Sequence, residues 1–177
     1  PRQSACFDIF GDEEGVGLFP FTRHAFDRFY DALKENDNGQ TWKTPRGILQ
    51  AILNPNLLQP DSLSAGTYPG AFIEPDAFRT DRRSQMALVP RLDQIVSNRI
   101  DDPEERARMR RMLAYWANPD RADTTVIGDE LAFAGTRRVV FEAFGLPWLG
   151  GSEASSGGET RPAPIAIPLP IFNELES

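Results

Sequence analysis

The sequence predicts a mainly α-helical fold with at most a few short strands. Three observations point that way. Apolar residues recur at helical spacing in several stretches, residues that favour helix starts precede those stretches, and alternating apolar runs are few and short. Of 177 residues, 40% are hydrophobic and 25% charged, enough for a packed core in one ordinary domain or two small ones.

Residues 1–20 read as an irregular or extended lead-in. "CFDIF" alternates like a short strand, and "GDEEGVG" is an acidic turn flanked by glycine. "LFPFT" then places Thr22 as an N-cap. Phe26, Phe29, Tyr30 and Leu33 mark the apolar face of a helix over roughly residues 23–35. "ENDNGQT" ends it, with Gly39 in a left-handed position.

The second helix begins at "KTPRGILQAIL", residues 43–53. Thr44 is its N-cap and Pro45 its first helical residue, where a missing N–H costs nothing. Ile48, Leu49, Ile52 and Leu53 supply the apolar face, and Asn54-Pro55 is expected to stop it. A further helix over about 76–100 carries Met86, Val89, Leu92, Ile95, Val96 and Ile100, with a break or kink at Pro90. "DDPEER" is a strong helix start, with Asp102 as cap, Pro103 at the first position and Glu104 and Glu105 in the first turn. That helix runs through Met109, Met112, Leu113 and Trp116 to "NPD". "TTVIG" suits a short strand, and "TRRVVFEAFGLP" a helix stopped by Gly145 and Pro147. From Gly150 onward the composition turns to Gly and Ser, then to Pro, as in a flexible linker followed by the apolar "PIAIPLPIF".

Charge and composition narrow the function. The formal net charge of −7 argues against a whole-surface grip on nucleic acid or an anionic membrane, while leaving room for a local basic patch. Cys6 is the only cysteine, which fits a reducing cytoplasm. No apolar run reaches 18 residues, so no membrane span is expected, and no secretory leader is visible. The chain opens on Pro1 rather than methionine, as expected of a piece of something longer.

Most catalytic patterns are missing. There is no GxxxxGK[ST], no GxGxxG with its acidic partner and no HExxH. The acids at 12–14 and 101–102 read as a solvated turn and a helix start rather than cation ligands. His24, the only histidine, reads as a surface or capping residue, and Cys6 as a small buried apolar one. No catalytic and no metal-binding residues are therefore assigned. Arg106, Arg110 and Arg111 lie close together on one helix and are candidates for contact with phosphates, as are Arg137 and Arg138. The competing expectation pairs the first three with Glu104 and Glu105, and the last two with Glu142. Trp42, Trp116 and Trp148 read as core or interface residues.

One arginine stands apart. Arg46 lies in the first turn of a helix, where the backbone already makes a cation mildly unfavourable, so an anion is expected nearby. The order "LFPFT … AFDRFYDAL … KTPRGILQAIL" resembles the helical lid of AAA+ and related P-loop ATPases. In that family "L-x-P-F-T" opens the lid, and an "x-P-R-x-(I/L)-L" phrase follows an intervening helix. The match lies on Phe19, Pro20, Phe21 and Thr22, then on Thr44, Pro45, Arg46, Ile48 and Leu49, between residues 17 and about 55. Similar phrases occur in large ATPases of bacterial phage-defence and DNA-modification systems.

The resemblance implies that Arg46 is the sensor-2 arginine, reaching toward the terminal phosphates of ATP held by a neighbouring core domain. Thr44 and Gly47 would complete that nucleotide contact, Gly47 by removing bulk where a ligand approaches. The phosphate loop and the acids that hold Mg²⁺ are absent, so this chain alone would not hydrolyse ATP. The expected organisation is a lid-like helical subdomain over 1–75, a second helical module over 76–149 with a helix and hairpin wing like a winged helix, and a tail over 150–177. The expected partners are the ATPase core domain or other subunits of a cytoplasmic bacterial machine, with DNA as a substrate of the parent. The competing expectation is a non-enzymatic helical interaction domain that docks through its Pro-rich tail. In that case Arg46 is a structural ion-pair residue, with Asp31 or Glu35 as partner.

Overall fold

The computed structural model describes residues 2–35, 41–78 and 87–151. The chain forms helix α1 (Arg2–Phe10), strands β1 (Asp12–Glu13) and β2 (Val16–Gly17), and helix α2 (Arg23–Ala32). Next comes a helical rod made of α3 (Pro45–Ile48), a π-helical stretch (Leu49–Leu53) and α4 (Asn54–Leu57). Helix α5 (Pro60–Ser64) and a 3₁₀ turn (Ala71–Ile73) follow, then α6 (Pro90–Arg99) and α7 (Pro103–Tyr115). Strands β3 (Thr124–Ile127), β4 (Glu130–Phe133) and β5 (Thr136–Arg137) precede the last helix, α8 (Arg138–Ala143).

The fold is mixed α and β, which corrects the expectation of a mainly α-helical chain. Among the described residues there are two antiparallel sheets, β1-β2 and β3-β4-β5. Their strands are two to four residues long, too short for alternation to register in the sequence. Two of the turns place consecutive residues at positive φ: Glu14 and Gly15 at 52° and 82°, Ala134 and Gly135 at 51° and 77°. That is the geometry of the type I′ hairpin turn. Neither Glu-Gly nor Ala-Gly carries the strong signal of Asn-Gly.

Several boundaries also differ from expectation. "CFDIF" lies in α1, not in a strand. Of the expected 76–100 helix, Pro90–Arg99 is helical, with Pro90 in the first position and Val89 before it, while residues 79–86 lie outside the described residues. Asn54-Pro55 does not stop the rod. Pro55 has no N–H to give Ala51, and the widened π turn immediately before it absorbs the loss, with Asn54 N–H reaching back to Leu49 O. Thr136 and Arg137 belong to a strand, so the last helix starts at Arg138. Gly39, Met86 and the tail from residue 152 onward lie outside the described residues. No helix among the described residues is long and apolar enough to cross a membrane.

The caps at three helix starts form as expected. Thr22 Oγ1 accepts from Ala25 N at 3.1 Å, Thr44 Oγ1 from Gly47 N at 3.0 Å, and Asp102 Oδ2 from Glu105 N at 2.7 Å. Each such cap satisfies a donor that the helix itself cannot use.

A single buried cluster runs from Phe10 to Leu149 and draws on both sides of residue 75. Its centre is aromatic. Phe29 stacks on Tyr115 at 4.4 Å, and Trp116 meets Phe29, Tyr68 and Phe144 edge-on. Trp116 also joins distant segments by hydrogen bonds. Its Nε1–H donates to Pro20 O at 2.8 Å, and its carbonyl accepts from Thr136 Oγ1 at 2.6 Å. Such rings hold most of the core's apolar area while their polar atoms find partners.

Candidate functional site

The residues singled out from the sequence separate into two environments. Arg46 lies in the first turn of the rod, exposed to solvent. Among the described residues its side chain makes no hydrogen bond or ion pair. Asp31 does not pair with it, and Glu35 is bound 2.8 Å from Lys43 Nζ. Lys43 also lies over the Tyr30 ring, 5.1 Å from its centre. Among the described residues no counter-charge reaches the guanidinium at this helix start, an arrangement that suits an external anion.

Its neighbours play structural parts. Pro45 has no N–H, and the Gly47 N–H is taken by the Thr44 hydroxyl at 3.0 Å. The Arg46 N–H alone remains of the first three helical positions. Gly47 is buried, and a Cβ there would run into the carbonyl oxygen of Trp42. Its lack of a side chain therefore serves the close approach of its own chain, not room for a ligand. Thr44 likewise spends its hydroxyl on the cap. The chemistry at this site narrows to the guanidinium.

Beside the rod is a cavity of about 440 Å³ lined by Lys34, Trp42, Gln50, Ala51, Pro75 and Asp76, among others. The rod's exposed residues are mixed, with Arg46 and Gln50 beside apolar ones. Leu49, Leu57 and Leu58 are exposed, where the sequence pattern put Leu49 on a buried face. The π stretch accounts for this: one wide turn offsets the side chains that an unbroken α-helix would align.

The other five arginines are all held by their own fold. Arg106 donates to the carbonyls of Ile100 and Asp101. Arg110 donates to Asp93 Oδ1 at 2.7 Å and Ser97 Oγ at 3.1 Å. Arg111 reaches Glu74 Oε2 at 3.3 Å. Arg110 and Arg111 line one groove together with those two acids, so the expected partners Glu104 and Glu105 are replaced by residues of other elements. Arg137 donates to Asp8 O and Ile9 O, and Arg138 to Glu142 Oε1 at 2.8 Å. Arg110, Arg111 and Arg137 tie different elements together, Arg106 and Arg138 bond within or just before their own helices, and among the described residues none of the five is left unpaired.

His24 is exposed, with Nε2 3.3 Å from Ala117 O. Cys6 is half-buried, and burial raises its thiol pKa above the ordinary value. Among the described residues no group of three or more His, Cys, Asp or Glu side chains is placed to hold a metal.

Two buried polar features escaped the sequence reading. Arg108 is 4% exposed, and donates to Tyr68 O at 2.6 Å and Phe144 O at 2.8 Å. The signal was present, because Arg108 precedes Met112 by four residues and so shares the apolar stripe of α7. Asn56 is buried too. Its Nδ2 donates to Ile52 O and its Oδ1 accepts from Tyr68 Oη, both at 2.7 Å. Burial pushes the Tyr68 pKa well above the ordinary phenol value. No family model, curated protein or solved structure matches this chain.

Proposed function

We propose that this chain is a nucleotide-responsive lid and coupling region of a larger cytoplasmic ATPase, not hydrolytic by itself. The observation that carries this is Arg46, an exposed guanidinium in a helix's first turn with no partner among the described residues. Its planar fork suits the oxygens of a terminal phosphate, and movement of the rod that carries it would couple that contact to lid rotation. ATP would be shared with a core domain that supplies the phosphate loop and Mg²⁺. The exposed Leu49, about one turn from Arg46, offers that domain an apolar contact there, and Leu57 and Leu58 offer another at the far end of the rod. A parent acting on DNA in antiviral defence is the setting in which the resembling phrases occur. Nothing in the five paired arginines adds a DNA contact from this chain.

The test is Arg46→Ala in the whole ATPase. Nucleotide hydrolysis should fall roughly 100-fold, the scale of removing one donor from developing negative charge, and Arg46→Lys should recover little of it. An unchanged rate with the fold intact would overturn the reading. The exposed leucines also favour a second reading, an interaction domain without nucleotide. It predicts loss of partner binding on Leu49→Asp and no effect of Arg46→Ala on any ATP-dependent step.

A further inference from the structure

The cavity beside the rod is lined by side chains that the fold itself does not use. Its buried lining is small and apolar, Ala51 and Ala77, with Pro75 half-buried. Its accessible lining is Trp42, 39% exposed, with Lys34, Gln50 and Asp76. Among the described residues none of these four side chains makes a hydrogen bond or ion pair. The groove at Arg110 and Arg111 differs, because there the charged groups satisfy one another. Backbone bonds fix two of the free side chains in place. Lys34 N–H donates to Ala77 O at 2.9 Å, and Lys34 O accepts from Trp42 N–H at 3.0 Å. Walls set in advance lower the cost of taking up a ligand.

The chemistry of the lining narrows what fits. A volume of about 440 Å³ is in the range of small-molecule sites, which combine an apolar lining with a few convergent polar groups. An exposed indole takes a flat ring by stacking. The Lys34 ammonium can only donate, the Asp76 carboxylate can only accept, and the Gln50 amide does both. That set matches a planar ring whose edge carries donors and acceptors, as a nucleobase does. The opposite charges of Lys34 and Asp76 balance, so the cavity favours a neutral ring over an ion.

An anionic group has its own place nearby. Arg46 precedes Gln50 by four residues, about 6 Å along the rod, and both are exposed. We infer that the cavity takes the base of a nucleotide, stacked on Trp42 and read at its edge by Gln50, Lys34 and Asp76, with the phosphates directed to Arg46. The phosphate contact rests on the function proposed above, whereas the base site stands on the cavity alone.

Titration calorimetry on the full 177-residue chain separates the two. The probes are the common ribonucleoside triphosphates and the corresponding nucleosides. At least one triphosphate and its nucleoside should bind, and Trp42→Leu should weaken both at least tenfold, the scale of losing one stacked base. Gln50→Ala should also weaken both while leaving the urea unfolding midpoint in place, which distinguishes a lost contact from a lost fold. Arg46→Ala should weaken the triphosphate only. Binding that survives both Trp42→Leu and Gln50→Ala, or no binding of any probe, would overturn the base site and leave Arg46 to the hydrolysis test. Triphosphate binding that needs Trp42 but is untouched by Arg46→Ala would uphold the base site and remove the phosphate contact on which the proposed function stands.

Discussion

The aromatic centre and the rod over residues 45–57 obey opposite rules. Around Phe29, rings from α2, α7 and the segments near Tyr68 and Phe144 fill the interior, and even the charged Arg108 finds carbonyl acceptors there. Along the rod, leucines face water, a π turn interrupts the helix and an arginine stands at the cationic end with no partner among the described residues. Consistent local choices mark a region selected for stability. Departures that gain nothing internally mark one shaped by something outside the chain.

Substitutions can break or sharpen that contrast. Phe29→Ala should cost most, about 3–5 kcal/mol, through the cavity left among four rings. The loss is read from the urea unfolding midpoint. Arg108→Met keeps much of the volume but strands the carbonyls of Tyr68 and Phe144, and should cost roughly 3 kcal/mol in the same assay. A loss below about 1 kcal/mol would mean that water reaches those oxygens.

The rod should respond more weakly. Gly47→Ala forces a Cβ against the Trp42 carbonyl, and about 1–3 kcal/mol is expected. Thr44→Ala removes one cap, worth about 1 kcal/mol by thermal or urea unfolding. Arg46→Ala should change stability by no more than about 0.5 kcal/mol, the ordinary range for a surface site. A larger loss at Arg46 would make it a structural residue and remove the contrast between the two regions.

The helix starts were legible because capping is local. Thr22, Thr44 and Asp102 act on donors three residues away, and each was visible in its own tetrapeptide. The sheets were not legible, because strands of two to four residues depend on partners that the sequence places next to weak turn signals. The partners of Arg110 and Arg111 were missed for a related reason. Asp93 and Glu74 lie 17 and 37 residues away, and only tertiary packing brings them in. At the candidate site, the sequence showed Arg46 and its cap but not the use of Gly47, since the clash with Trp42 arises from a turn in the backbone. The outward rotation of Leu49 was hidden because nothing in "ILQAIL" announces a π turn.

Trp42 ties these observations to something measurable. It is partly exposed, its carbonyl touches the Gly47 turn, and its ring borders the cavity beside the rod. Trp116, by contrast, is sealed in the core. With the third indole removed by Trp148→Phe, the molecule carries its own optical gauge: emission from Trp42 should report on the neighbourhood of Arg46, while Trp116 supplies an internal reference.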